Sequence, residues 1–303
     1  MISPELRILV TGAAGQLGFE LAAALAPLGT IIALDRAQLD IADADAIIGA
    51  MRRHAPDIVL NAAAYTAVDQ AERESALAQA VNATAPGIFA EEVKRTGALL
   101  VHFSTDYVFN GTQRAPYAED AATHPRNVYG ETKLAGERAI AQVGATALIL
   151  RTSWVYGRRG RNFLLTIRRL AQERDELRIV DDQHGTPNWS RTLARASAEL
   201  VAMGTGALRE RAGLYHLTST GATTWCGFAR AIVDDDALRE TVSGARRRPR
   251  VVAIATSDYP TPAARPANSV LDGGKFTRSF GITLPCWEQA LAECLAQKMP
   301  YPE

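Results

Sequence analysis

The stretch from Arg7 to Leu25 narrows the choice of fold more than any other. Arg7-Ile8-Leu9-Val10 is a short apolar, partly branched run, the pattern of a strand buried on both faces of a parallel sheet. It breaks at Thr11-Gly12-Ala13-Ala14-Gly15-Gln16-Leu17-Gly18 and resumes as Phe19-Glu20-Leu21-Ala22-Ala23-Ala24-Leu25, with the propensity and periodicity of a helix. Strand, glycine turn and helix in that order bring backbone amides at a helix N-terminus against a pyrophosphate. The glycines have separate tasks there: a tight turn, close backbone approach to the phosphates, and close packing of helix on strand. A glycine pattern alone carries little, but both flanking elements are present here.

The alternation continues. Ile31-Ile32-Ala33-Leu34, Asp57-Ile58-Val59-Leu60-Asn61, Ala98 to Phe103 and Thr146 to Arg151 read as strands, with helices over Ala44 to His54 and Asn82 to Lys94. Such alternation joins parallel strands through right-handed crossovers. The expectation is an α/β protein with a Rossmann-type, doubly wound parallel sheet in residues 1–158. Gly213 to Thr218 reads as a strand returning to that sheet, so residues 188–221 rejoin the first unit. Residues 159–187 and 222–303 then form a smaller C-terminal substrate-binding domain. In it, Asn162 to Glu173, Thr224 to Val233 and Cys286 to Gln297 read as helices and Leu177 to Val180 as a short strand. Tyr259 to Ser269 is too proline-rich for a regular element. Arg246 to Arg250 reads as a solvated loop answered by Asp234 to Asp236, with a diphosphate contact as the minority reading.

Chemistry-bearing residues fall at the strand ends, where open α/β sheets bind ligands. Asp35 follows the second strand, twenty residues after Gly15, where an acidic side chain would bond an adenosine ribose. Its neighbour Arg36 could instead neutralise a 2'-phosphate, so NADH and NADPH both stay open. Small residues Ala62-Ala63-Ala64 after the third strand let a flat ligand lie against backbone. Thr105, at the end of the fourth, could donate to a substrate carbonyl, and Trp154, at the exit of the fifth, could stack on a sugar or base. Tyr129 and Lys133, four apart, share one helix face. A fixed ammonium beside a phenol favours the phenolate and lowers its pKa, which makes proton exchange with a carbonyl oxygen feasible near neutrality.

Composition removes several function classes. Lys plus Arg and Asp plus Glu number 33 each, leaving no net field for nucleic acid. No apolar run approaches the ~20 residues of a bilayer span, and the N-terminal residues lack a signal-peptide pattern, so a cytoplasmic, non-membrane protein is expected. Cys226, Cys286 and Cys294 lack CxxC spacing, and the five histidines form no HxxxH pair, so no metal is expected. There is no G-x-S-x-G elbow to make Ser104 a hydrolase nucleophile.

Three strings, Ser104-Thr105-Asp106-Tyr107-Val108-Phe109, Asn127 to Glu137 and Arg151 to Tyr156, join Arg265-Pro266-Ala267-Asn268-Ser269 in one resemblance. The chain resembles the extended short-chain dehydrogenase/reductases, and within them the dTDP-4-dehydrorhamnose reductase family. The resemblance implies NADPH- or NADH-dependent reduction of the 4-keto group of dTDP-4-dehydro-6-deoxy-L-mannose to dTDP-L-rhamnose. Tyr129 would protonate the oxygen, Lys133 would lower its pKa and hold the nicotinamide ribose, and Thr105 would bond the same oxygen. Gly12, Gly15, Gln16 and Leu17 would border the pyrophosphate, Asp35 and Arg36 the adenosine ribose, Asp40 and Ile41 the adenine. Ala64, Tyr65 and Thr66 would lie on the nicotinamide side, Phe103 would also contact the cofactor, and Thr105, Asp106 and Trp154 would meet the sugar. Tyr65 stands where relatives carry histidine. The implied partner is a dTDP-sugar, with a homodimer also open. Two alternatives are a non-catalytic NADP-binding regulatory subunit, which would not need Thr105, Tyr129 and Lys133 together, and another nucleotide-sugar epimerase or dehydratase.

Overall fold

In a computed structural model, residues 6–234 and 248–297 are described. Six parallel strands form the central sheet: β1 (Arg7–Thr11), β2 (Thr30–Leu34), β3 (Ile58–Asn61), β4 (Leu99–Thr105), β5 (Ala147–Thr152) and, returning late in the chain, Gly213–His216. The order across the sheet is Gly213–His216, β5, β4, β3, β1, β2. The chain leaves β1 toward one edge and comes back to β3 on its other side, so the order reverses between β1 and β3. A crevice opens at that switch point, outside the C-terminal strand ends.

The strands are continuous apolar runs because both faces are covered. Ile8, Val10, Leu60, Val101 and Leu150 pack under α1 (Gln16–Leu25) and the helix Ser190–Ala202, while Leu9, Val59, Leu100 and Ile149 pack under helices on the other side. Each fully buried aliphatic side chain contributes about 1.5–3 kcal/mol, so these two layers hold the sheet. The second face carries α2 (Ala44–His54), capped by Asp43, and a nearly continuous helical run of α3 (Val68–Ala71), α4 (Ser75–Gln79), a π turn and α5 (Ala85–Thr96). The reading of Asn82 to Lys94 as one helix starts inside that π turn. Next comes α6 (Val128–Val143), which begins at the Asn127 cap, where the Asn127 side chain accepts from Gly130 N–H.

The late chain builds a second cluster of Tyr156, Leu164, Trp189, Phe228, Trp287 and their neighbours. Its helices are Phe163–Glu173, Trp225–Val233 and Trp287–Ala296, within a residue or two of their expected ends. Residues 182–189 contain the two-residue strands His184–Gly185 and Asn188–Trp189; pairings that short have no sequence periodicity. The proline-rich stretch after Tyr259 is irregular, as expected. Of the basic run, Arg246 and Arg247 lie outside the described residues, whereas Arg248 pairs with Asp234 at 2.9 Å. No helix among the described residues is long and apolar enough to cross a membrane.

Candidate active site

The crevice is a cleft of about 580 Å³ running from the glycine turn to the start of α6. Gly12 sits at φ +65°, and a Cβ there would come within 2.9 Å of Ala63 Cα. Only glycine lets the β1 turn nest against the β3 exit this closely. The turn leaves the first amides of α1 facing the cleft, where a diphosphate is stabilised by N–H groups and the helix dipole. Gly12, Gly15, Gln16, Leu17, Arg36, Asp40, Ile41, Ala64, Tyr65, Thr66 and Phe103 line the wall, as do Thr105, Asp106, Tyr129, Lys133 and Trp154. Residues scattered over more than a hundred positions are brought together because most lie at or just after the C-terminal end of a parallel strand, while α6 brings Tyr129 and Lys133 over the end of β4.

Asp35 is the exception. It is not among the cleft residues, and its Oδ1 accepts from the N–H groups of Ala37 and Gln38, closing its own turn. The ribose contact expected of Asp35 has to share that carboxylate with local backbone amides, which occupy one of its two oxygens. Arg36 does face the cleft, with the exposed Asp40 3.7 Å from its guanidinium.

At the other end the packing is tight. A Cβ on Gly130 would lie 2.2 Å from the Tyr107 carbonyl, so the residue after Tyr129 must be glycine for α6 to approach the exit of β4. Below, Glu137 binds Arg151 through two bonds of 2.8 and 2.6 Å and accepts from Ser104 at 2.5 Å, tying α6 to β5 and β4. Breaking one side of so buried a pair costs about 3–5 kcal/mol. Tyr129 packs edge-to-face on Tyr107, ring centroids 5.5 Å apart.

The Lys133 ammonium is buried and turned inward, donating to Phe103 O at 2.7 Å and lying 3.2 Å from His102 Nε2. Phe103 thus contributes its carbonyl to the lysine. Burial pulls the Lys133 pKa down to about 8. The Tyr129 phenol moves opposite to expectation, pushed up to about 12 by burial, with Thr105 pulling it down and Asp106 raising it. In this arrangement the lysine serves His102 and Phe103 and does not lower the phenol. At such a pKa the tyrosine keeps its proton throughout the neutral range, the state a proton donor needs.

Thr105 donates to Asp106 Oδ1 at 3.0 Å and accepts from Tyr107 N–H at 3.2 Å. Asp106 is 1 % exposed and its Oδ2 has no hydrogen-bond partner. Burial pushes its carboxyl up to about 6. Tyr65 donates to Glu74 at 2.6 Å, so its hydroxyl is engaged away from a cofactor ribose.

Trp154 adopts a left-handed backbone, φ +43°, and its indole stacks on Trp225, centroids 3.5 Å apart and planes 5° from parallel. Trp225 and Arg161 line the cleft as well and were missed from sequence. Trp225 reads there as one more aromatic of an amphipathic helix, and only the fold carries it across to Trp154.

Glycine turn, parallel switch point, buried Tyr–Lys pair and hydroxyl-lined strand end define a Rossmann-type, nicotinamide-dependent oxidoreductase. Residues 6–299 match the family described as RmlD substrate binding domain. The dTDP-4-dehydrorhamnose reductase of Burkholderia thailandensis is 48% identical over 298 residues, 96% of this chain and 98% of that protein. A crystal structure of dTDP-4-dehydrorhamnose reductase from Bacillus anthracis in complex with NADP superposes with a TM-score of 0.86 at 33% identity, over 96% of this chain and 98% of that one. The UDP-glucose 4-epimerase of Thermus thermophilus, 19% identical with a TM-score of 0.76 over 97% of this chain and all of its own (100%), shares the fold alone. This chain belongs to the dTDP-4-dehydrorhamnose reductase family.

Proposed function

We propose that the chain reduces the C4 keto group of dTDP-4-dehydro-6-deoxy-L-mannose to dTDP-L-rhamnose, with NADPH as the preferred reductant. The observation that carries this reading is the convergence of Thr105, Asp106, Tyr129 and Lys133 in the same cleft as the glycine turn. The nicotinamide supplies the hydride. Tyr129 donates the proton that the new alkoxide requires, and its phenol is held protonated for that purpose. The Thr105 hydrogen, at rest on Asp106, turns to the ketone oxygen and orients it. The unpartnered Oδ2 of Asp106 accepts from a sugar hydroxyl. Lys133 keeps a third N–H for the nicotinamide ribose beyond the two directions taken by His102 and Phe103.

Arg36 supports NADPH over NADH: it offers a cation to a 2'-phosphate while Asp35 is engaged in its own turn. Gly12, Gly15, Gln16 and Leu17 hold the diphosphate, Asp40 and Ile41 border the adenine, Ala64, Tyr65 and Thr66 border the nicotinamide side, and Trp154 with Trp225 receives the sugar nucleotide. Residues 1–158 and 188–221 make the dinucleotide unit, supported by Gly213–His216 pairing with β5, and 159–187 with 222–303 make the substrate unit, except that Phe276, Phe280, Ile282 and Leu284 pack into the core of the central sheet and belong with the first unit. We place the reaction in the cytoplasm, with a homodimer as the assembly to look for.

The test is absorbance at the nicotinamide band with purified protein, each reduced cofactor and the dTDP-4-keto sugar made in situ. Oxidation of NADPH matched mole for mole by dTDP-rhamnose is the expected result. Folded protein that binds NADP but oxidises none of it with this substrate would refute the reading.

A further inference from the structure

A chain of buried polar side chains runs under the floor of the cleft to Lys133, and the proposed reaction does not use it. Ala63 N–H donates to Thr11 Oγ1 at 3.2 Å, Thr11 donates to Asn61 Oδ1 at 2.7 Å, Asn61 Nδ2 lies 3.2 Å from His102 Nδ1, and His102 Nε2 lies 3.2 Å from Lys133 Nζ. Thr11, Asn61, His102 and Lys133 are 1 %, 1 %, 0 % and 2 % exposed. Parallel register aligns the first three, pairing Thr11 with Asn61 and Asn61 with His102.

Such a chain has a direction. A charged lysine has three hydrogens and no acceptor; a neutral one has two hydrogens and a lone pair. With Thr11 donating to the amide oxygen, Asn61 donates to His102 Nδ1. A neutral imidazole then carries its hydrogen on Nε2 and offers it to Lys133, which accepts only as an amine. In the reverse direction the ammonium donates to Nε2, Nδ1–H donates to the amide oxygen, and the amide nitrogen faces Thr11, which accepts from it and from Ala63. A half-turn of the Asn61 amide exchanges its oxygen and nitrogen with little change of shape, so one cage holds both arrangements.

We propose that the Thr11–Asn61–His102 chain is a positioning device for Lys133 that reverses direction with the lysine's charge, giving a partner to the ammonium and to the amine alike. Between the two states one proton leaves Lys133 for solvent, and the imidazole keeps a single hydrogen that changes nitrogen. His102 stays neutral throughout, because burial and the neighbouring lysine hold its pKa well below the usual histidine range. The charged groups facing Lys133 are few. Glu137, one turn on, raises its pKa but is engaged by Arg151 and Ser104; Tyr129 and Asp106 are the other titratable groups at this end of the cleft. The device rests on the reductase reading for its use. When Tyr129 has given its proton to the substrate and is recharged, Lys133 can pass through both charge states with His102 as its hydrogen-bond partner in each.

The experiment is heteronuclear NMR on the full chain carrying 15N-histidine and 13C-lysine, titrated with pH, the His102 signals identified by their loss in His102→Gln. We expect the His102 hydrogen to sit on Nδ1 at low pH and on Nε2 at high pH, the changeover tracking the Lys133 Cε titration. Asn61→Asp offers only acceptors to its neighbours, so it should lock Nδ1–H and raise the Lys133 midpoint by about one pH unit or more. A single His102 tautomer while Lys133 titrates, or a tautomer that still changes in Asn61→Asp, would overturn the proposal. The measurement needs no substrate, so its failure and that of the reductase reading are told apart.

Discussion

The two ends of the cleft are built to different standards. At the reaction end, Thr105, Asp106 and Lys133 are at most 4 % exposed, and α6 is held to β4 and β5 by Glu137, Ser104 and Arg151. At the adenosine end, Arg36 and Asp40 are exposed on a loop, 78% and 47% by side chain, and Asp35 serves its own turn. Burial multiplies electrostatic effects and penalises any unpaired group, so the first end tolerates little change. Exposed pairs are worth 0–1 kcal/mol, so the second end can drift in cofactor preference without disturbing the chemistry.

The sharpest way to test this contrast is Tyr129→Phe. It keeps the packing against Tyr107 and removes the proton donor; we expect kcat to fall by about 10²–10⁴-fold with NADP affinity unchanged, read by steady-state kinetics and cofactor fluorescence. A loss under tenfold would mean that another group protonates the oxygen.

Asp106→Asn comes next and should separate stability from function. The carboxyl pKa is raised in the fold to about 6, so the ionised form is disfavoured there and the protein loses stability as pH climbs through the interval between the unfolded value and 6. Removing that charge should stabilise the protein by about 2–3 kcal/mol at pH 7, with the advantage vanishing below pH 4, as measured by thermal melts at several pH values. The KM for the sugar nucleotide should rise about tenfold, reflecting one lost charge-assisted hydrogen bond. An unchanged melting temperature would show the carboxylate to be solvated.

Smaller effects belong to the exposed end. Arg36→Ala should raise the KM for NADPH about three- to tenfold, leave NADH alone, and shrink with added salt. Asp35→Ala should change either KM by less than about threefold, since its carboxylate serves local amides. A large, NADH-specific loss in Asp35→Ala would restore the ribose role that the turn geometry argues against.

Much of this protein is legible in its residues in order. The strands of the sheet announce themselves because burial on both faces demands unbroken apolar runs. The glycine turn does so because its backbone admits little else, and Tyr129 with Lys133 because helical spacing is local. The sequence by itself therefore determined the fold class, the family and many of the residues that line the cleft. Tertiary structure decided what depends on competition between partners far apart in the chain. Asp35 gives one carboxylate oxygen to amides two and three residues away, a choice of rotamer that spacing does not encode. Lys133 turned to His102 and Phe103 because β4 passes beneath α6, and the Tyr129 phenol rose because burial outweighed any nearby cation. Trp225 reached Trp154 only through the packing of the late helices. Backbone pattern is written locally, residue by residue; desolvation and the assignment of hydrogen-bond partners exist only once distant segments have met.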